Sequence, residues 1–150
     1  MALIVQKYGG TSVGDLEKIQ GVADRIAKYV KRGDRVVAVA SAMSGETNKL
    51  VALGNEISNG KPDQREMDSL TASGEQVSTA LLAMALKKSG VDAISLLGDQ
   101  IQIQTDSVHG KARIQNIETN RLSGIIDSGV VPVIAGFQGV DRHNNITTLG

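Results

Sequence analysis

The chain has 150 residues, 16 basic and 16 acidic side chains, and an ordinary hydrophobic fraction of 41%. That length suits one domain or part of a larger one, and the balanced charge argues against bulk electrostatic binding to nucleic acid, which needs a basic excess. Tyr8, Tyr29 and Phe137 are too few for base-stacking platforms, the absence of cysteine excludes disulfides and thiolate metal sites, and His109 and His143 alone make a histidine metal cluster a poor reading.

The opening "LIVQKYGGTSVGDLEKI" reads as a buried strand that runs into Lys7, two glycines and two hydroxyls before a helical pattern begins. Leu16, Ile19, Val22, Ala23, Ile26, Ala27 and Val30 then recur at helical spacing, predicting an amphipathic helix that ends near Gly33. The basic group Lys28, Lys31, Arg32 and Arg35 reads as the solvated end of that helix. "RVVAVASAM" is a continuous apolar run suited to the centre of a parallel sheet. A second helix is expected from near Thr47 to the turn-rich "SNGKPDQ".

Asp63 and Glu66 resemble a capping box opening a long helix, with Met67, Leu70, Val77, Ala80, Leu81, Met84 and Ala85 as its apolar positions and Gly90 as its end. "DAISLLG" predicts a short strand, "IQIQT" a half-exposed one, and "ARIQNI" another after a His109-Gly110 turn. Asn120 to Ser128 is expected to be helical, "VVPVIAG" a buried strand, and "ITTLG" the start of a strand after an Asn144-Asn145 turn. Strands alternating with helices predict an α/β domain with a mainly parallel sheet. No apolar run approaches the roughly 18 residues of a membrane span, and the start lacks the pattern of a signal peptide. A soluble cytoplasmic protein is expected, with no membrane partner.

In open α/β sheets ligands sit beyond the carboxyl ends of the strands. Those positions carry Lys7-Tyr8-Gly9-Gly10-Thr11-Ser12, Ser41-Ala42-Met43-Ser44-Gly45-Glu46-Thr47, Gly98-Asp99 and Gly136-Phe137-Gln138-Gly139. Glycines bring bare backbone amides close to an anion, a helix N-terminus adds its dipole, and Lys7 adds a full charge. Together they point to phosphate binding. Glycine-rich turns are also common in any α/β protein, where Ser or Thr is often only a helix cap. "GGTSVG" has neither the P-loop order nor the spacing of a dinucleotide fold.

"VQKYGGTSV", "VAVASAMSGETNKL", "LTASGEQVSTALLAMAL", "HGKARI", "VVPVIAGFQG" and the final "TTLG" resemble, in order, segments of aspartokinases in the amino acid kinase family. The resemblance covers essentially the whole chain. It implies a three-layer αβα sandwich and the ATP-dependent phosphorylation of the L-aspartate side chain to 4-phospho-aspartate. ATP and Mg²⁺ are the implied nucleotide and cation, with no dedicated metal site. By the same resemblance Lys7 is the catalytic lysine, and Tyr8, Gly9, Gly10, Thr11 and Ser41 lie about the nucleotide phosphates. Thr47 and Glu75 bind aspartate, and Phe137 walls the substrate pocket.

The chemistry agrees: phosphoryl transfer is mostly positioning and charge stabilisation, and a carboxylate nucleophile needs no general base. His109 and His143 therefore read as turn residues. Glu75 alone would read as a solvated helix glutamate, and its setting after Ser73-Gly74 reverses that.

Aspartokinases continue past "TTLG" with an Arg-Gly-Gly-Ser-Asp run, an ATP-binding half and regulatory domains. Residues 1–150 are thus expected to be the N-terminal, amino-acid-substrate portion of a catalytic domain, inactive alone. Apolar sheet edges left uncovered would favour self-association, and a homo-oligomer is expected for the intact enzyme. Two alternatives stay open: another family substrate, such as acetylglutamate, a carbamate or a nucleotide, and a non-catalytic chain that keeps the fold.

Overall fold

The computed structural model describes residues 1–150. In chain order its elements are β1 (Leu3–Tyr8), α1 (Leu16–Lys31), β2 (Arg35–Ala40), α2 (Glu46–Ile57), α3 (Gln64–Lys88) and β3 (Ala93–Leu96). There follow β4 (Ile103–Thr105), β5 (Ile114–Ile117), α4 (Asn120–Asp127), β6 (Val131–Ala135), β7 (Gln138–Val140) and β8 (Ile146–Thr148).

The first sheet is parallel, in the order β1-β2-β6-β3. On one face α1 and α3 bury Ile19, Ile26, Leu82 and Leu86 against Val36, Ala38 and Val133. On the other, Leu122, Ile125 and Ile126 of α4 pack on Val37, Leu96, Ile101 and Ile134. Valines that alternate along β2 thus feed both cores, as a two-sided strand must. This is the expected αβα sandwich with a mainly parallel sheet. The outer edge of β1 is unpaired, and Leu3 and Val5 are exposed there. No helix is long and apolar enough to cross a membrane.

A second sheet, β5-β4-β7-β8, replaces the small two-strand excursion that the sequence led us to expect. The difference is β7, read from sequence as a glycine loop. It is only three residues long, too short for an alternating pattern, and its strand character comes from β8 and β4 pairing on either side. "IQIQT" is likewise strand only from Ile103. Ile101 and Gln102 belong to a turn closed by Ile101 N–H to Leu97 O and Gln102 N–H to Asp99 O. In the β7–β8 turn, burial works against the Asp141 charge. Donors from Asn145, Ser107 and His143 outweigh it and hold that carboxyl below the ordinary aspartate range.

Helix ends follow local chemistry. Asp15 caps α1 by accepting from Lys18 N–H at 2.8 Å, and Asp63 caps α3 by accepting from Glu66 N–H at 3.1 Å. Glu66 does not complete a capping box; its carboxylate pairs with Arg65 instead. Gly33, at φ +98°, closes α1 with Gly33 N–H to Val30 O and Asp34 N–H to Tyr29 O, the Schellman pattern.

The buried face of α3 is largely polar in its N-terminal half and apolar only in its C-terminal half. Val77 and Met84 are exposed, while Asp68, Thr71, Glu75, Ser78 and Thr79 are buried alongside Leu82 and Leu86. Hydrogen bonds make this possible: Ser78 donates to Ser41 O at 2.7 Å and Thr79 to Glu75 O at 2.7 Å.

Two glycine substitutions test the packing in opposite directions. A Cβ on Gly139 would lie 2.5 Å from Thr105 Cγ2 and 2.6 Å from Ile103 O. Gly139→Ala should therefore destabilise the chain by about 1–3 kcal/mol through overpacking. Gly21, exposed in α1, has nothing within 4 Å of the added carbon, so Gly21→Ala should stabilise by about 0.5–1 kcal/mol. Urea unfolding midpoints of the two variants should move to opposite sides of the parent.

Candidate active site

Level registers bring three loops to one height: Tyr8 pairs with Ala40, and Ala40 with Ala135. Beyond them opens a cavity of about 640 Å³. Lys7, Gly10 and Thr11 reach it from β1 and its loop, Ser41 to Gly45 from the loop after β2, and Gly136 and Phe137 from the end of β6. Thr47 and Asn48 of α2, Glu75 of α3, and Leu149 and Gly150 after β8 complete the lining. The fourth glycine loop, Gly98-Asp99, is not there. It packs under β7 so closely that a Cβ on Gly98 would be 2.7 Å from Gln138 O.

The electrostatics favour an anion on one side. Lys7 is exposed and takes part in none of the ion pairs. Thr11 and Ser12 are not helix caps, because Asp15 already fills that role. The start of α2 has no side-chain cap: its N-cap is Gly45 at φ +82°, and the amides of Thr47 and Asn48 find no acceptor in the protein. An uncapped N-terminus of this kind carries the positive end of the helix dipole.

Glu75 supplies the opposite charge. It is 2% exposed, and its Oε1 accepts from Ala42 N–H at 3.1 Å. Helix α3 passes so near the loop after β2 that a Cβ on Gly74 would be 2.8 Å from Ala42 Cβ. Only glycine allows that approach. Glu75 Oε2 is the one buried side-chain polar atom without a partner. Burial pushes the Glu75 carboxyl above its ordinary range, against the pull of the Ala42 amide. Phe137, partly exposed on the cavity wall, holds a left-handed φ of +70°, a strained conformation for a non-glycine residue.

With this geometry in view, the amino acid kinase family profile matches residues 2–150. The chain belongs to the amino acid kinase family. An aspartate kinase of Stutzerimonas stutzeri is 56% identical over 150 residues, all of this chain and 36% of that protein. The chain thus spans little more than a third of that relative's length. Among solved structures, aspartate kinase from Synechocystis superposes with a TM-score of 0.81 at 45% identity, covering 99% of this chain and 24% of that one. Aspartokinase III of E. coli, crystallised with aspartate and ADP, gives a TM-score of 0.85 at 22% identity, a likeness of fold. It covers 100% of this chain and 44% of that one.

In this amino acid kinase chain, Lys7, Gly10, Thr11, Ser41, Thr47, Glu75 and Phe137 line one cavity. Two expected phosphate-site residues lie elsewhere. Tyr8 is buried in the core, its hydroxyl donating to Gln6 Oε1 at 2.7 Å, because strand alternation turns it away from the face that carries Lys7. Gly9 is exposed in the turn and does not line the cavity; its carbonyl accepts from Ser12 N–H at 3.0 Å. Sequence reasoning passed over Asn48 and the free start of α2. The signal was the lack of Ser, Thr, Asp or Asn at position 45.

The folded chain holds the Glu75 proton more tightly than the unfolded chain does. Stability from that proton is full below the ordinary value of 4.5 and is lost as pH rises above it. Glu75→Gln removes the loss. Thermal unfolding without ligand should show the variant more stable than the parent at about pH 8, with the gap closing towards about pH 4.

Proposed function

We propose that the protein is an aspartate kinase, transferring the γ-phosphoryl group of ATP to the side-chain carboxylate of L-aspartate. The products are 4-phospho-L-aspartate and ADP, and the step begins lysine, threonine and methionine synthesis. One observation carries the reading: a buried, half-satisfied Glu75 carboxylate on the same cavity as Lys7 and the free amides of Thr47 and Asn48. It provides for an ammonium at one point and phosphates at another. The names of the similar proteins, and aspartate with ADP in the E. coli structure, support the same pair of substrates.

In this reading an oxygen of the aspartate carboxylate bonds to the γ-phosphorus. The bond to the β–γ bridging oxygen breaks, and ADP leaves with that electron pair. No proton moves, since a carboxylate with an ordinary value of about 3.9 is already ionised at neutral pH. Lys7 offsets the charge on the transferring group, and the amides of Gly10 and Thr11 and the start of α2 cradle phosphate oxygens. Ser41 lies between nucleotide and amino acid. Glu75 Oε2 accepts from the aspartate ammonium, Thr47 hydrogen-bonds the same substrate, and Phe137 limits its reach. Tyr8 and Gly9 have no direct part. ATP enters as its Mg²⁺ complex, the ion held by phosphate oxygens and water.

Residues 1–150 are, in this proposal, the amino-acid-substrate portion of the kinase domain. The ATP-binding half and regulatory domains belong to the rest of a cytoplasmic, homo-oligomeric enzyme. The 150-residue chain alone turns over little or nothing.

A coupled ADP-release assay on the full-length protein, with aspartate, acetylglutamate and carbamate in parallel, tests the reading; aspartate should be preferred. Lys7→Ala should lower kcat by about 10²–10³-fold. Its melting temperature should barely move, since surface substitutions lie within about 0.5 kcal/mol. Unchanged turnover in Lys7→Ala would remove the lysine from the mechanism.

A further inference from the structure

A second buried carboxylate on α3 lies outside the cavity. Asp68 is 1% exposed, and four donor groups converge on it. His109 Nδ1–H donates to Oδ2 at 2.8 Å, and Gly110 N–H to Oδ1 at 3.1 Å and Oδ2 at 3.2 Å. From β8, Thr148 N–H donates to Oδ2 at 3.1 Å and Thr148 Oγ1 to Oδ1 at 2.7 Å. One carboxylate thus ties α3 to the β4–β5 loop and to the end of β8. An apolar core could hold a helix on a sheet with no such group. A carboxylate taken out of water must be answered by donors in good geometry.

What the clamp holds is the cavity rim. Thr148 is followed by Leu149 and Gly150, both in the cavity lining. Leu149 N–H donates to Phe137 O at 2.8 Å, which fixes the strained residue on the facing wall. On the other side, Ala112 N–H donates to Thr148 O at 2.9 Å and Gly150 N–H to Ala112 O at 3.1 Å, so the loop begun by His109 is stitched to the same rim. The chain of contacts runs from Asp68 and His109, through Thr148 and Leu149, to Phe137.

We infer that Asp68 and His109 are a positioning pair for the amino-acid side of the cavity: they set the Phe137–Leu149 wall and so govern affinity for the phosphoryl acceptor. The inference rests on the aspartate kinase reading for the identity of that acceptor. It does not rest on it for the clamp itself. Neither side chain touches the reacting atoms. Small displacements of a binding wall are costly, since misplacement by about 1 Å far from the chemistry can cost about 10²-fold.

The test uses the full-length protein with His109→Leu, which removes the donor, and His109→Asn, whose amide nitrogen can take the place of Nδ1. His109→Leu should raise KM for aspartate about tenfold or more, with a much smaller change in KM for ATP, and His109→Asn should recover most of the loss. Amide exchange over residues 146–150 should be faster in His109→Leu and restored in His109→Asn. Equal changes in both KM values, or faster exchange at the rim with an unaltered KM for aspartate, would overturn the inference. If the parent does not phosphorylate aspartate, the functional reading fails by itself. The exchange data then decide the clamp, and unaltered exchange in His109→Leu would overturn it.

Discussion

Two carboxylates taken out of water on a single helix set the terms for the rest of the molecule. Asp68 and Glu75 lie two turns apart on the buried face of α3, each about 2% exposed or less. Burying such a group without donors costs several kcal/mol, so the chain must bring partners to it. For Asp68 it does so from 41 and 80 residues away, with four donor groups converging on the carboxylate. For Glu75 it supplies one backbone amide and stops. The completed carboxylate becomes a structural joint between a helix and the second sheet. The incomplete one leaves an acceptor without a partner on the cavity wall, and burial raises its proton affinity against the pull of the Ala42 amide.

The same contrast governs the two helix starts near the cavity. Helix α1 follows the glycine loop directly and looks from sequence like the natural anion site, yet Asp15 closes it with a side-chain carboxylate. Helix α2 begins at a left-handed glycine with no side chain to fold back, so the amides of Thr47 and Asn48 stay free. The positive end of the dipole is available where the chain provides no cap. Placing an anionic nucleotide near α2 and Lys7, and an ammonium near Glu75, separates the two charges of the proposed substrates across one cavity. No histidine is needed, which suits a reaction with no proton to move.

The parallel sheet, its helices and the glycine loops of the cavity were legible because they rest on local signals: unbroken apolar runs, amphipathic spacing, glycine at strand ends; Thr47, Glu75 and Phe137 were singled out only through the resemblance to aspartokinases. The second sheet was not, because a three-residue strand such as Gln138–Val140 has no periodicity of its own and exists through its neighbours. Helix α3 misled for a related reason. Two of its predicted apolar positions, Val77 and Met84, face outward, and the N-terminal half of the buried face is spelled largely in Asp, Thr, Glu and Ser, with Leu82 and Leu86 buried only further along. Hydropathy assigns such a face to solvent, since it cannot register partners that arrive from residues 41, 109 and 148. Tyr8 and Gly9 do not line the cavity although the motif reads as one continuous patch. Alternation along β1 sends Lys7 and Tyr8 to opposite sides of the sheet.

A polar helix face between two sheets also explains why the cavity can sit where it does. Leucines on that face would bury as much area and hold the layers together, but they would leave nothing for a charged ligand to meet and would not distinguish one register from another. Hydrogen bonds to Ser41 O, Ala42 N–H, Gln138 Nε2 and Thr148 instead fix α3 against the loop after β2 and the second sheet point by point. Each has a direction and a length, so the helix has one seat. The cost is a site whose stability is lowest with Glu75 charged and unpaired, and that is the state in which it is ready for a cation.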